Sequence, residues 1–370
     1  MKIPFVDLTR QYQTIKKETD KIVQDTFLRG DFILGENVKK FEEEFAKFIG
    51  VKYCIGVASG TDALLLSLRA LGVGPGDEVI APTFTFIATV LPVIYLGAKP
   101  VLVDINPDNY QMDTEKLEKA ITKKTKVIIP VHLFGIPAPM GEIMKVAKKY
   151  NLMVIEDACQ AHGAEINGQK CGSFGELSAF SFYPSKALGA PGDGGAVVTS
   201  NKKLADRIRI MRNVGQLERY KHDLIGYNSR LDNLHAGVLL IKLKMLEKWN
   251  GRRRELAALY DKLLFGLPVI LPPKLQSGIL PNYYVYVIRT KQRDKLLGFL
   301  TKSGIGSAIY YPRPLHLQKA LNYLGYKKGD FPVAERYSKE VLSLPIYPEL
   351  KASEVKYICS KMREFFKKKL

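Results

Sequence analysis

The stretch YCIGVASGTDALLLSLRALGVGPGDEVIAP, residues 53–82, contains a complete strand–helix–strand unit. Its apolar run at 53–58 predicts a buried strand, 61–71 predicts a helix, and 78–82 predicts a second strand. Short apolar strands that alternate with helices are typical of a parallel sheet covered on both faces. The unit therefore predicts an α/β fold.

The same alternation continues along the chain as far as residue 200. Short apolar runs predict five further strands, at 99–104, 126–132, 152–157, 176–183 and 194–200. Helical patterns lie between them, at 85–96, 113–121, 139–150 and 202–213. We expect these seven strands to form one mostly parallel sheet.

The pattern changes after this region. A long helical stretch covers 231–262, a strand-like alternation covers 283–290, and helices are predicted at 292–303 and 352–367. We interpret these segments as a smaller C-terminal α/β domain. The expected division is a large domain over 1–245 and a smaller one over 246–370.

Composition limits the class of protein. The 370 residues contain 46% hydrophobic residues, which suffices for a sizeable core. No apolar run is long enough for a membrane span, and the N-terminus lacks the apolar segment of a secretory signal. The four cysteines form no CxxC pair and the histidines show no metal-ligand spacing, so we expect a cytoplasmic protein with no metal.

The formal net charge of +19 allows three interpretations. It can reflect solvated helix faces, or attraction for an anionic small substrate such as a nucleotide diphosphate. Nucleic acid is the third, but no recognised binding motif accompanies the charge. We therefore expect a small-molecule substrate and neither a nucleic-acid nor a membrane partner.

Polar residues follow three of the predicted strands. Ser59, Gly60 and Thr61 lead into a helix, where they are either a phosphate site or an ordinary helix cap. Asp157 ends a strand and either caps a helix or holds a proton on a heterocyclic nitrogen. Phe86 either belongs to the core or stacks on a flat ring.

A lysine completes this set. Lys186 lies in SFYPSKALGAPGDGGA, residues 181–196, where glycines allow a ligand to approach the backbone closely. A phosphate pocket, a stacking aromatic, a carboxylate for a ring nitrogen and a lysine are the groups that pyridoxal 5′-phosphate (PLP) requires. The sequence therefore predicts a PLP enzyme in which Lys186 binds the cofactor covalently and then moves a proton.

Motifs along almost the whole chain carry a family resemblance. They are IPFVDLTRQY (3–12), GDFILGENVKKFEEEFA (30–46), SGTDAL (59–64), GDEVIAPTFTFIATV (76–90), PVHLFG (130–135), EDACQAHGA (156–164), SFYPSKALGAPGDGGAV (181–197), GYNSRLD (226–232) and YYPRPLH (310–316). The chain resembles the DegT/StrS-type sugar-nucleotide aminotransferases, which are PLP enzymes of fold type I. Lys186 argues against the related dehydratases, in which histidine replaces this lysine.

The resemblance implies a role for each matching residue. Lys186 would carry the cofactor and Asp157 would pair with its ring nitrogen, so these two are the expected catalytic residues. Other cofactor contacts would come from Gly60, Thr61 and Ser181 at the phosphate, Phe86 on the ring, Gln160 at the phenolic oxygen, and Asn228 from the partner subunit of a homodimer. Expected substrate contacts are Tyr183, Arg230, Tyr310 and His316; His162 is ambiguous between packing near the cofactor and the sugar pocket.

The resemblance also implies the reaction. The expected activity is transfer of an amino group from L-glutamate to C3 of a dTDP-3-keto-6-deoxyhexose, for an amino sugar of a lipopolysaccharide or S-layer glycan. C3 is preferred because EDACQAHGA has Gln160 where several C4 enzymes carry histidine. The alternatives are a C4 aminotransferase acting on a 4-keto-6-deoxy sugar nucleotide and, from another class, a PLP-free nucleotide-binding or regulatory protein.

Overall fold

The computed structural model describes residues 1–367, and helices and strands alternate over most of them. The helices are α1 (Leu8–Arg29), α2 (Glu36–Ile49), α3 (Gly60–Ala70), α4 (Leu91–Tyr95), α5 (Thr114–Lys119), α6 (Met140–Tyr150), α7 (Lys202–Arg212), α8 (Asn233–Leu264), α9 (Arg293–Lys302), α10 (Pro332–Glu340) and α11 (Ala352–Lys367). None of these helices is long and apolar enough to cross a membrane.

The strands are shorter than the helices. They are β1 (Tyr53–Val57), β2 (Glu78–Pro82), β3 (Lys99–Val103), β4 (Thr125–Ile128), β5 (Met153–Asp157), β6 (Glu165–Ile166), β7 (Gln169–Lys170), β8 (Leu177–Ser181), β9 (Gly195–Thr199), β10 (Gln216–Glu218), β11 (Lys221–His222), β12 (Ile279–Leu280), β13 (Tyr286–Arg289) and β14 (Val341–Leu344).

One seven-stranded sheet contains all seven strands that the sequence predicts between residues 53 and 200. Its order is β1-β9-β8-β5-β4-β2-β3. Strands β3, β2, β4, β5 and β8 pair in parallel, whereas β9 is antiparallel to both β8 and β1. β9 is thus the one reversed strand of this sheet, and the prediction of a mostly parallel α/β sheet is confirmed.

Helices cover both faces of this sheet. Val79 on β2 lies in a buried cluster with Leu64 of α3, while the next residue, Ile80, lies in a cluster with Met140 and Ile143 of α6. Successive side chains of a strand point to opposite faces, so a strand between two helical layers is apolar throughout. This explains why the strands are uninterrupted apolar runs.

The structure differs from prediction mainly where backbone chemistry overrides the apolar pattern. The helix predicted at 85–96 is wrong over its first half: a 3₁₀ turn at Ile87–Thr89 precedes the short helix α4. Pro92 lacks an N–H and is tolerated only in the first turn of a helix, so α4 begins just before it.

Helix α1 was not predicted, because few of its residues are apolar and buried.

A second buried cluster lies in the C-terminal part of the chain. Residues from the end of α8, from β13 and β14, and from α11 form it, including Tyr260, Tyr286, Leu342 and Met362. The boundary predicted at 245/246 falls inside the continuous helix α8, which therefore contributes to both parts of the molecule. The division into two domains stays a prediction.

Candidate active site

A cavity of about 370 Å³ lies where several strands of the large sheet end. Residues that follow β1, β2, β5 and β8 line it, together with residues that precede the reversed strand β9. In open α/β sheets ligands bind beyond the carboxyl ends of the strands. The topology therefore brings segments far apart in sequence to one place.

The N-terminus of α3 forms one wall of this cavity. The Ser59 hydroxyl caps the helix by accepting a hydrogen bond from the Asp62 N–H at 3.1 Å. A Cβ on Gly60 would lie 2.7 Å from the Cβ of Ser181, so only glycine lets the helix approach Ser181 this closely. Thr61 lines the cavity as well. Free N–H groups at a helix N-terminus favour an anion such as phosphate.

Asp157 is fixed by two hydrogen bonds. Its Oδ2 accepts from the Thr89 hydroxyl at 2.8 Å and its Oδ1 from the Cys159 N–H at 3.3 Å. The Thr89 hydroxyl lies 3.0 Å from that of Thr85, which extends the network. Among the described residues the next element after Asp157 is strand β6 and not a helix, so this carboxylate is not a helix cap. It lines the cavity while only 6% exposed.

Glu156, the residue before Asp157, fixes the end of the same strand, β5. Its carboxylate accepts hydrogen bonds from the N–H groups of Gly172, Phe174 and Gly175 and from the Ser178 hydroxyl. His132 Nε2 lies 3.0 Å from the same carboxylate, and both side chains are fully buried. The end of β5, and with it Asp157, is therefore held from both neighbouring strands.

Lys186 lies in a compact loop after β8. The Lys186 N–H donates to the Tyr183 carbonyl at 2.8 Å, and the Ala190 N–H donates to the Phe182 carbonyl at 2.7 Å. The Lys186 amine projects into the cavity, where its Nζ lies 4.5 Å from the ring centroid of Tyr284. A cation over an aromatic face is stabilised by the ring quadrupole.

Gln160 and two aromatic rings form another part of the cavity wall. Gln160 Oε1 accepts from the Phe134 N–H at 2.7 Å, which leaves its Nε2 to donate to the Tyr311 hydroxyl at 3.1 Å. Tyr311 in turn stacks on Phe86, with centroids 5.9 Å apart. Burial raises the pKa of Tyr311 well above its usual range, so the phenol stays protonated. Phe86 is 54% exposed and belongs to the cavity rather than to the core.

Of the remaining predicted residues, the structure brings some into this cavity and not others. Tyr183 and Tyr310 line it. Asn228 and Arg230 lie in an adjacent pocket, which shares Asp193 with the first one. The Arg230 guanidinium donates to Asn213 Oδ1 at 3.0 Å.

The placement of His316 corrects the prediction that it contacts substrate. Its side chain is fully buried outside the cavity. Nδ1 lies 2.9 Å from the Thr83 hydroxyl and Nε2 lies 3.1 Å from Glu335, so both ring nitrogens are already occupied. His316 connects the C-terminal part of the chain to the end of β2.

His162 also lies outside the cavity, packed against Phe180 and Phe182. Neither of its ring nitrogens has a hydrogen-bond partner among the described residues. Burial, together with the positive charge of Lys186, lowers the pKa of His162 to about 3. The imidazole is therefore neutral, and of the two interpretations the structure favours packing.

Thr89 and Tyr284 are among the cavity residues that the sequence did not indicate. Thr89 lies in the segment expected to be a regular helix, and Tyr284 lies in a segment interpreted only as a strand. Thr89 lies within the motif GDEVIAPTFTFIATV and Tyr284 lies in no motif, but a lone threonine or tyrosine signals no chemistry until the fold places it. Within residues 1–367, no group of three or more His, Cys, Asp or Glu side chains could hold a metal ion.

The cavity fits PLP group by group. The α3 N-terminus with Gly60 and Ser181 suits a phosphate, and the ionisable Asp157 suits a ring nitrogen. The exposed face of Phe86 suits a flat ring, and the Gln160 amide is oriented with its NH₂ group towards the cavity. Lys186 supplies the amine.

The sequence comparisons agree with this fit. The profile of the DegT/DnrJ/EryC1/StrS aminotransferase family matches residues 13–363. The chain is 43% identical to a dTDP-3-amino-3,4,6-trideoxy-alpha-D-glucose transaminase of Streptomyces venezuelae, over 98% of this chain and 96% of that one. It is 46% identical to a UDP-N-acetyl-3-dehydro-alpha-D-glucosamine 3-aminotransferase of Acidithiobacillus ferrooxidans, over 98% and 97%. It is also 44% identical to a protein of Geobacillus stearothermophilus named a pleiotropic regulatory protein, over 99% of both chains.

Solved structures show the same fold. The crystal structure of DesV from S. venezuelae, in complex with a ketimine intermediate, superposes with a TM-score of 0.96 at 43% identity and covers 98% of each chain. The PLP form of the sugar aminotransferase Spr1654 from Streptococcus pneumoniae, described as putative, gives a TM-score of 0.90 at 28% identity, over 96% of this chain and 97% of that one.

Proposed function

The chain belongs to the DegT/DnrJ/EryC1/StrS aminotransferase family and is a PLP-dependent sugar aminotransferase; from this premise we propose its substrates. The proposed reaction transfers the amino group of L-glutamate to C3 of a 3-keto sugar linked to a nucleoside diphosphate, with dTDP-3-keto-6-deoxyhexose as the first candidate. The observation that carries it is the convergence of Lys186, Asp157 and Gln160 on one cavity.

The proposed binding roles follow from the cavity walls. The N-terminus of α3, with Gly60, Thr61 and Ser181, would hold the cofactor phosphate. The Asp157 carboxylate would keep the ring nitrogen protonated, and Thr89 would hold that carboxylate in place. Phe86 would cover one face of the ring, and Gln160 would donate to the phenolic oxygen.

PLP, when bound, supplies a pyridinium ring that withdraws electrons from the carbon at which a proton is lost or gained. The work of the chain is then to bind, to orient and to move protons. The Lys186 amine would hold the cofactor, and the donor amine would take its place there. The free Lys186 amine would then carry a proton between the donor Cα and C4′ of the cofactor. Amination of the sugar ketone would use the same proton transfer in reverse.

The names of the two transaminase relatives support C3 as the site of amination. One name specifies a 3-amino sugar and the other a 3-dehydro sugar. They differ in the nucleotide, since one is a dTDP sugar and the other a UDP sugar. A UDP-linked 3-keto acetamido sugar is therefore a second candidate substrate, favoured by the 46% identity of that relative.

The charges at the cavity support a homodimer with shared active sites. Lys186 is the only cationic side chain among the described residues that line it. A phosphorylated cofactor with either glutamate or a nucleotide diphosphate beside it requires more positive charge than one amine. Arg230 and Asn228 lie on an adjacent pocket of the same surface, where a second copy would bring them to the neighbouring cavity.

Exposed apolar side chains beside that pocket also support the dimer. Ile33 lines the pocket and is 49% exposed. Phe27, Leu28, Phe32 and Leu34 are exposed in the same segment of the chain. A cluster of exposed apolar side chains marks an interaction surface.

The four free cysteines support action in the cytoplasm, where thiols stay reduced. That the amino sugar enters a lipopolysaccharide or S-layer glycan stays a prediction.

The substrate proposal is tested by loading the enzyme with L-glutamate and offering three ketones separately. These are dTDP-3-keto-6-deoxyglucose, dTDP-4-keto-6-deoxyglucose and UDP-N-acetyl-3-keto-glucosamine, with NMR of the products. Amination at C3 of the first is the expected result, and preference for the third identifies the second candidate. Exclusive amination at C4 contradicts the proposal but leaves the aminotransferase assignment intact.

A further inference from the structure

Lys242 is a buried lysine outside the cavity. It lies on α8 and is 9% exposed, whereas Lys244 and Lys248 on the same helix are exposed. Lysine is almost never fully buried unless its ammonium is paired. The Lys242 ammonium donates to the backbone carbonyl of Gly189 at 2.7 Å.

Gly189 belongs to the loop that carries Lys186. The loop is closed by the two backbone bonds at Lys186 and Ala190. A Cβ on Gly189 would lie 2.2 Å from the Pro184 carbonyl oxygen, so the two sides of the loop touch. A loop packed in this way moves as a unit, and a displacement at Gly189 reaches Lys186 three residues away.

Burial makes the Lys242 ammonium costly. Desolvation lowers the pKa of Lys242 to about 8, and the charge of Glu349 offsets only part of this effect. An apolar side chain of similar length would fill the same space without that cost. The charged donor is therefore explained by its hydrogen bond rather than by packing.

We propose that Lys242 is a positioning residue for Lys186: by holding the Gly189 carbonyl, it fixes the loop that directs the Lys186 amine into the cavity. The proposal rests on the assignment of Lys186 as the cofactor lysine. Lys242 touches neither cofactor nor substrate, and its contribution lies in the orientation of the amine. A misplacement of a reacting group by about 1 Å can cost about a hundredfold in rate.

The test compares K242M with K244M, a matched variant of an exposed lysine on the same helix. Two readouts are measured on the holoenzyme: the pH titration of the visible absorbance that arises from the Lys186–cofactor link, and kcat and KM for glutamate. For K242M we expect the titration midpoint to move by at least about 0.5 pH unit. We also expect kcat to fall about tenfold while KM changes less than about twofold. K244M should match the wild type.

Unfolding of the apoprotein in urea separates positioning from stability. The K242M midpoint should stay close to that of the wild type, because the removal of a buried ammonium offsets the loss of its hydrogen bond to Gly189. K242Q, which keeps an N–H donor, should lie between the wild type and K242M in both readouts. It also serves as the test variant if K242M does not fold.

The proposal is overturned if K242M has the titration midpoint and kcat of the wild type. It is also overturned if K242Q and K242M have the same titration midpoint and the same kcat. Borohydride reduction and peptide mapping of the same preparations distinguish this failure from failure of the site assignment. A label on Lys186 with an unchanged titration overturns only the role of Lys242. A label on another lysine overturns the assignment of Lys186 itself.

Discussion

At the scale of single residues, the proposed role of Asp157 depends on how its carboxylate is held. Its carboxylate is oriented by Thr89 and by the Cys159 N–H, and it faces the cavity. The sequence alone left it open between a helix cap and a partner for a ring nitrogen. Which of the two roles is possible depends on whether a helix follows β5, and only the fold shows that none follows directly.

The substitution Asp157→Asn should therefore slow amino transfer by about a hundredfold or more, because a neutral amide cannot keep the ring nitrogen protonated. Single-turnover absorbance with glutamate measures the rate. Asp206→Asn, at a half-buried position of α7 outside the cavity, serves as the control. A rate within threefold of the wild type in Asp157→Asn would exclude this role.

His162 gives a pH-dependent contribution to stability. Burial and the charge of Lys186 lower its pKa from 6.5 to about 3. A histidine with a depressed pKa in the folded state opposes folding once the unfolded chain takes up a proton. Its contribution is thus fully favourable above pH 6.5 and is lost as the pH falls from 6.5 towards 3.

In His162→Phe this dependence should disappear, because phenylalanine fills the position beside Phe180 and Phe182 without titrating. Relative to the wild type, the variant should gain about 2 kcal/mol of unfolding free energy between pH 6.5 and 5. Urea unfolding of both apoproteins at these two pH values measures the gain. Equal pH dependence in the two proteins would show that folding does not lower the pKa of His162.

At the scale of elements, the sequence predicted the strands of the large sheet well, because each one is buried on both faces and reads as an apolar run. The sequence-based prediction failed where a proline or a contact distant in sequence determines the structure. Pro92 shortens the predicted helix at 85–96, and Thr89 reaches Asp157 only because that segment is a turn. Helix α1 escaped because its burial depends on contacts with α8, far away in sequence.

The N-terminus of α3 is the element on which cofactor affinity should depend most. In Gly60→Ala the added Cβ would meet Ser181 at 2.7 Å and push the helix away from the proposed phosphate position. We expect the dissociation constant for PLP to rise about tenfold or more, the loss expected when about one hydrogen bond to a charged group is weakened. Fluorescence titration of the apoprotein with PLP measures it.

Gly141→Ala is the matched control, since Gly141 also lies in the first turn of a helix and a Cβ there would meet nothing within 4 Å. It should bind PLP as the wild type does. If Gly60→Ala retained wild-type affinity as well, the α3 N-terminus would not be the phosphate site.

At the scale of the whole molecule, the motifs contain most of the predicted residues that line the cavity, and the fold distinguishes between residues that share a motif. YYPRPLH contains both Tyr310, which lines the cavity, and His316, which is buried between Thr83 and Glu335. Nothing in the motif separates them. Tyr284, which packs against the Lys186 amine, comes from the C-terminal part of the chain.

The proposed dimer predicts complementation between two inactive chains. Lys186→Ala removes the amine of one chain, and Asn228→Ala removes the group offered to the neighbouring cavity. In mixed dimers one of the two sites regains both residues, so mixing the variants should restore up to about a quarter of wild-type activity on statistical grounds. No recovery after confirmed subunit exchange, or full activity of a monomer, would refute a shared site.

The central claim is that Lys186 carries PLP, and borohydride reduction of the holoenzyme followed by peptide mass spectrometry tests it most directly. Reduction makes the link to the cofactor permanent, so the labelled lysine identifies itself without any assumption about the sugar substrate. We expect a single cofactor per chain, on the peptide that contains Lys186, and no label in Lys186→Ala. A label on any other lysine, or a protein that takes up no PLP, would contradict the account.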